Sequence, residues 1–130
     1  MPSFSTKSED TLATCDHRLQ QICDRVIKTY DFSVLEGYRS DERQEELYRQ
    51  GKSKLRAGES KHNQDPSLAV DIAPYPIDWE DHKRFYLLAG MMFQAAYDIG
   101  YPIRWGGDWD RDWEHNDQSF HDLPHFEIVE

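Results

Sequence analysis

The sequence lacks any apolar run that approaches the ~20 residues a membrane-spanning helix needs. Its first ten residues, MPSFSTKSED, contain no apolar signal-peptide core. We therefore expect a protein that is made in the cytoplasm and does not insert into a membrane. Basic residues are also scarce, with 15 Lys and Arg against 25 Asp and Glu and a net charge of −10. This balance argues against nucleic acid as a partner and favours a neutral or cationic substrate, or a bound cation.

Cysteine is scarce as well, with only Cys15 and Cys23 in the chain. Both fall in a stretch whose apolar periodicity predicts a single helix over 12–27, which would separate their Cα atoms by about 12 Å. They cannot pair with each other across that distance. We interpret them as small apolar core residues of a protein in a reducing compartment.

The composition nevertheless predicts a folded protein. Of the 130 residues, 38% are hydrophobic and 13% are aromatic, although 31% are charged. A chain of this length buries roughly two-thirds of the surface that it exposes when unfolded. We expect one domain over 1–130, without internal repeats or a second unit.

Two further helices are predicted from their caps and periodicity. Ser40 begins one that ends at Gly51, and Asp78 begins a longer one that ends at Gly100. Short strands are predicted over 32–35, after Pro102, and in the stretches LAVDIAPYP and HFEIVE. This order predicts a small α+β domain with helices packed on a mostly antiparallel sheet.

An aspartate in the strand LAVDIA is the first sign of a functional site. Asp71 shares its strand face with Ala69 and Ala73, while Val70 and Ile72 point to the other face. A carboxylate among such small neighbours is costly unless it is paired or bound to a metal. The alternative is a carboxylate on an edge strand that pairs with an arginine.

Two histidines complete a candidate metal site with this aspartate. His62 comes from the polar loop before the strand, and His125 begins the last strand. Two histidines and one carboxylate are the ligand set of a catalytic zinc site that keeps its fourth position for water. Asp122, three residues before His125, is placed to act as a general base.

The segments GYRSDERQEELYRQG, SKH, AVD, IRWGGDWD and DLPHFE together resemble the M15 family of zinc peptidases. This family includes D-alanyl-D-alanine carboxypeptidases and dipeptidases, and the L-alanyl-D-glutamate peptidases that serve as phage endolysins. The similarity covers about residues 30–130, and the GGDW segment is most like the endolysin branch. The resemblance implies a Hedgehog/D,D-peptidase-like fold.

By position, the resemblance implies Zn²⁺ on His62, Asp71 and His125. It implies that Asp122 is the catalytic base, where many relatives have glutamate. Nine positions separate His62 from Asp71 in this chain, because the NQDPSL stretch is longer than the family's usual spacing. The path of this loop is therefore expected to differ.

The same resemblance implies that Arg39, in GYR, steadies the substrate carbonyl and the developing oxyanion. A guanidinium fork suits this role. Arg39 could instead be a structural partner of Glu36 or Glu42.

Four other residues are candidates for substrate binding or for support of the ligands. Ser60 matches the serine of the family's SxH motif, and Glu127 shares the strand face of His125 and could orient it. Asp108 could brace the site, and His121 could contact the substrate. The acidic aromatic loop over 108–119 is expected to line the cleft.

These inferences predict a monomeric zinc peptidase that cleaves the stem peptide of bacterial peptidoglycan, at the L-alanyl-D-glutamate bond. As an endolysin, it would be made in the host cytoplasm and would reach the cell wall after another protein opens the membrane. One alternative is a D-alanyl-D-alanine carboxypeptidase or dipeptidase, and another is a metal-containing wall-binding module without catalysis. A non-haem iron oxygenase shares the ligand set, but too few strands are predicted for its barrel.

Overall fold

Four α-helices and a four-stranded antiparallel sheet form the fold in residues 2–111 and 122–130, which the computed structural model describes. The elements are α1 (Thr6–Leu12), α2 (His17–Ile27), β1 (Phe32–Glu36), α3 (Asp41–Arg49), a 3₁₀ turn (Lys61–Asn63), β2 (Ala69–Pro74), α4 (His82–Ile99), β3 (Ile103–Gly106) and β4 (Asp122–Ile128). The predicted α+β class, with helices on an antiparallel sheet, is confirmed.

The sheet places β2 and β4 side by side in its interior, because the strand order is β1-β2-β4-β3. The register between them sets Asp71 directly opposite His125, and Val70 opposite Phe126. Asp71 therefore lies on an inner strand, and the alternative of an edge-strand carboxylate is wrong. Residues directly opposite each other on adjacent strands have Cβ atoms about 5 Å apart.

One face of the sheet packs against α2 and α4. Val70, Ile72, Phe126 and Ile128 point into this core and are almost completely buried. Each such side chain contributes about 1.5–3 kcal/mol when it leaves water. Since neighbouring strand residues alternate in direction, Asp71, His125 and their strand partners on the opposite face are left for the site.

The N-terminal helical segment is broken, so the prediction of one helix over 12–27 is wrong. Between α1 and α2, Cys15 forms an isolated bridge with Ser67. The Asp16 N–H donates to the Ser67 carbonyl at 2.8 Å, and the Ser67 N–H donates to the Thr14 carbonyl at 2.9 Å. Cys15 and Cys23 are both buried and neither forms a disulfide, in agreement with their predicted packing role.

The helix caps agree with the sequence at Ser40 and Gly100 and differ at Asp78. Ser40 Oγ accepts the Arg43 N–H at 3.1 Å, and Gly100 adopts a left-handed conformation with φ of 94°. α4 begins three residues later than predicted, with Asp81 at the cap position. Asp78 instead accepts the N–H of Glu80 within the preceding turn. In the part of the chain that is described, no helix combines the length and the apolar character that crossing a membrane requires.

Candidate metal centre

The three side chains that the sequence predicts as ligands lie together on the polar face of the sheet. His62 Nε2 lies 3.2 Å from Asp71 Oδ1, and His125 Nδ1 lies 3.1 Å from the same oxygen. One donor atom from each residue falls within 4.8 Å of the other two. The 3₁₀ turn, β2 and β4 thus each supply one ligand atom, and these three residues could hold a metal ion.

The outward nitrogen of each histidine has its own acceptor. His62 Nδ1 lies 2.7 Å from the Gly37 carbonyl oxygen, and His125 Nε2 lies 2.8 Å from Glu127 Oε1. Each acceptor favours the tautomer in which the outward nitrogen carries the proton. The inward nitrogen of a neutral imidazole then presents a lone pair, which is what a metal ligand requires.

In this arrangement three acceptor atoms converge, which is unfavourable unless a cation or a proton lies among them. Burial by itself would lower the pKa of His125, but its hydrogen bonds to Asp71 and Glu127 outweigh burial and raise that pKa to about 9. Burial would raise the pKa of Asp71, but its interactions with the His125 and His62 rings hold it well below the usual range of a carboxyl. The donor set therefore fits a divalent cation, with a proton on His125 as the competitor.

Local hydrogen bonds fix the turn that carries His62. Ser60 Oγ accepts the His62 N–H at 3.1 Å, and Asn63 Oδ1 accepts the Ser60 N–H at 3.1 Å, which forms a capping box. Ser60 is buried and acts on the backbone of this turn. Its observed contact thus explains why a serine precedes the ligand by two positions.

Gly37, which sequence reasoning missed, supplies the carbonyl that orients His62. A Cβ at this position would overlap Thr14 Oγ1 and would lie 2.8 Å from Cys15 Sγ. The Arg39 N–H also donates to the His62 carbonyl, at 2.7 Å. The break between α1 and α2 therefore packs directly against the backbone that holds the first ligand. The glycine of the GYR segment was the available signal.

Arg39 lies beside the triad and is clamped by two neighbours. Its Nε and Nη2 donate to Glu36 at 2.8 and 2.7 Å, and its Nη1 donates to Gln44 Oε1 at 2.8 Å. Burial would lower its pKa, but the hydrogen bond and charge of Glu36 raise it. Nη2 also lies 3.9 Å from Asp71 Oδ2. Glu36 is thus a structural partner, as one alternative held, and among the described residues two of the five guanidinium N–H donors remain for another acceptor.

Asp122 is the first residue of β4. Its pKa is raised by burial and by the charge of Asp71, although His125, His62 and Arg39 act in the opposite direction. The Asp122 carboxyl therefore interacts electrostatically with the candidate ligands and with Arg39. Its backbone pairs with Gly106, where a Cβ would overlap the Asp122 carbonyl oxygen.

Of the remaining candidates, the structure describes Asp108. Asp108 is buried in the turn after β3, where its N–H donates to the Trp105 carbonyl at 3.0 Å. It also lines a cavity of about 440 Å³ between β3 and the end of α4. The Trp109 ring contacts the His125 ring, with 5.3 Å between the ring centroids. His121 and most of the 108–119 loop lie outside the described residues.

The fold and this donor set define a small α+β protein with a candidate metal centre of two histidines and one aspartate. The chain belongs to the phage L-alanyl-D-glutamate peptidase family, whose model matches residues 2–129. The predicted resemblance to M15-type peptidases is thereby confirmed.

Two curated relatives carry related names. The L-alanyl-D-glutamate peptidase of Escherichia phage T5 is 31% identical over 135 residues, which cover 97% of each chain. The peptidoglycan L-alanyl-D-glutamate endopeptidase CwlK of Bacillus subtilis is 33% identical over 120 residues. These cover 78% of this chain and 63% of CwlK.

Two solved structures are similar to this chain. The Serratia marcescens L-Ala D-Glu endopeptidase ChiX matches with a TM-score of 0.78 at 28% identity, over 98% of this chain and 90% of that chain. The LD-carboxypeptidase LdcB matches with a TM-score of 0.53 at 24% identity, over 87% of this chain and 56% of that chain. The second likeness is one of fold alone.

Proposed function

We propose that this protein is a zinc-dependent peptidase that cleaves the peptidoglycan stem peptide between L-alanine and D-glutamate. The observation that carries the proposal is the convergence of His62 Nε2, Asp71 Oδ1 and His125 Nδ1, with the outward nitrogen of each histidine already bonded. The names of the phage T5 and Serratia relatives support the choice of bond.

Zinc suits this site because catalytic zinc centres commonly use three protein ligands and keep one position open. When bound in such a site, zinc activates water and polarises a carbonyl group. His62, Asp71 and His125 would hold it. Iron(II) can use the same ligand types, so metal analysis of the purified protein tests this part of the proposal directly.

Asp122 is the general base of the proposed reaction. Its raised pKa makes the carboxylate a better proton acceptor than an exposed aspartate. It accepts a proton from the attacking water and returns that proton to the departing amine. Its position at the start of β4, three residues before the ligand His125, supports this role.

Arg39 is the proposed electrophilic residue. Glu36 and Gln44 hold the guanidinium so that it cannot reorient freely, and only 10% of its side chain is exposed. Its remaining donors can bind the substrate carbonyl as negative charge develops on the oxygen. A lysine could not satisfy both neighbours and the substrate with the same planar geometry.

The proposal also includes the route to the substrate. As an endolysin-like enzyme, the protein would act as a monomer. It would be made in the host cytoplasm and would meet peptidoglycan after another protein opens the membrane. The stem peptide is its only proposed partner.

The test is digestion of purified peptidoglycan, followed by mass spectrometry of the soluble and residual fragments. Cleavage of the proposed bond creates peptides that begin with D-glutamate. Chelation should stop their appearance, and added zinc should restore it. Release of free D-alanine would instead indicate a carboxypeptidase, and binding to the wall without any cleavage would indicate a non-catalytic module.

A further inference from the structure

Glu127 lies directly behind the second histidine ligand. Both residues point to the same face of β4, two positions apart, and Glu127 Oε1 lies 2.8 Å from His125 Nε2. Each side chain is only 9% exposed. A buried carboxylate is costly unless it is paired, so this contact is a built feature of the site.

Two cations compensate the charge of this carboxylate from the other side. Lys61 Nζ and Arg104 Nη1 each lie 3.5 Å from Glu127 Oε2. The two carboxylate oxygens therefore have separate partners. Oε2 faces the cations, and Oε1 is directed at His125.

Lys61 also connects the two histidine ligands. It immediately precedes His62 in the 3₁₀ turn, and its Nζ donates a hydrogen bond to the carbonyl of Ile128 in β4. Together with its contact to Glu127, this bond ties the turn of the first ligand to the strand of the last. The two ligand segments are 63 positions apart in the sequence.

We propose that Glu127 is a positioning residue that selects the His125 tautomer presenting Nδ1 to the metal, and that Lys61 holds the His62 turn against the same carboxylate. This inference rests on the proposed metal-dependent function and deepens it. In this proposal both residues act through the histidine ligands. A carboxylate that accepts from the outward nitrogen of a ligating histidine fixes the ring orientation and strengthens its donation to the metal.

The experiment measures the zinc dissociation constant by competition with a chelator, at one pH, for the wild type, Glu127→Ala, Glu127→Gln and Lys61→Met. Loss of such a partner commonly weakens metal binding by about 10–100-fold, which is expected for Glu127→Ala. Glu127→Gln keeps an acceptor oxygen and should recover part of the loss. Lys61→Met should weaken binding to a smaller extent. Glu130→Gln, an exposed change three residues further along, is the matched control.

A second readout separates positioning from general stability. Nitrogen-15 NMR of the histidine rings reports which nitrogen carries the proton. In the metal-free proteins, at a pH high enough for His125 to be neutral, the wild type and Lys61→Met should show His125 protonated at Nε2, whereas Glu127→Ala should lose this signature. Circular dichroism and thermal unfolding of the metal-free forms check that each variant is folded.

The outcomes also separate this inference from the proposed function. A wild type that takes up no metal contradicts the proposed function. A wild type that binds zinc, with Glu127→Ala and Lys61→Met binding equally well and with an unchanged His125 tautomer, overturns the inference alone. If Glu127→Ala does not fold, Glu127→Gln and Lys61→Met decide the question, and wild-type affinity in both overturns it.

Discussion

Protons and metal should compete for the same nitrogen of His125. In the metal-free site the pKa of His125 is raised to about 9, chiefly because its hydrogen bonds to Asp71 and Glu127 outweigh the effect of burial. At neutral pH the ring is then an imidazolium, and it must lose its inward proton before it can act as a ligand. Raising the pH should therefore strengthen metal binding.

The size of this pH effect on zinc affinity follows from the fraction of molecules in which His125 is deprotonated. With the pKa of His125 raised to about 9, only about one molecule in 100 is deprotonated at pH 7, and each pH unit below 9 costs about a factor of ten in affinity. The stability of the metal-free protein should depend on pH in the opposite direction and fall as the pH rises. Because the folded pKa of His125 exceeds its unfolded value of about 6.5, the stabilisation is complete below pH 6.5 and is lost as the pH rises through about 9.

The assay is chelator competition for zinc at half-unit steps from pH 6.5 to 8.5, corrected for protonation of the chelator. Calorimetry in buffers of different ionisation enthalpy should also detect about one proton released per metal ion at pH 7. His17→Gln removes an exposed histidine away from the site and should leave the slope unchanged. An affinity that is constant across this range, with no proton released, would refute the reasoning.

Four further predictions concern stability, catalysis and thiol reactivity. Gly37→Ala should lower the free energy of unfolding by about 1–3 kcal/mol, because its Cβ would overlap the break between α1 and α2. Gly90→Ala, where a Cβ meets nothing within 4 Å, should raise it by about 0.5–1 kcal/mol, and urea denaturation measures both. Asp122→Asn should lower kcat for peptidoglycan cleavage by at least about 100-fold and leave the zinc affinity unchanged. Activity near the wild-type level in this variant would exclude Asp122 as the base. Burial raises the pKa of Cys15 to about 12 and also raises the pKa of Cys23. A thiol reagent should therefore label the two cysteines only after the protein unfolds. Rapid labelling of the native protein would contradict this prediction.

Strand alternation allowed the centre of the site to be predicted from sequence. The alternation of side chains along a strand depends only on local geometry. Because Val70 and Ile72 point toward the core, Asp71 must point toward the opposite face. The same rule placed Glu127 beside His125. What alternation could not predict is the register between β2 and β4, which brings two residues 54 positions apart into direct opposition.

The sequence failed where distant backbone contacts decide the structure. The apolar period of Leu12, Cys15 and Leu19 continues across the break between α1 and α2, so periodicity alone indicated one helix. The break is stabilised by hydrogen bonds to Ser67, far along the chain. Gly37 was missed for a related reason, since it acts through a carbonyl oxygen that any residue possesses.

Among the described strands, the order β1-β2-β4-β3 consists of two pairs, β1-β2 and β4-β3, which are joined by the pairing of β2 with β4. Asp71 belongs to one pair and His125 to the other, so the candidate centre spans the junction between β2 and β4. An ion bound there would crosslink the two strand pairs of the sheet. Separation of β2 from β4 and loss of the ion would then be coupled, so the candidate metal centre would also stabilise the sheet.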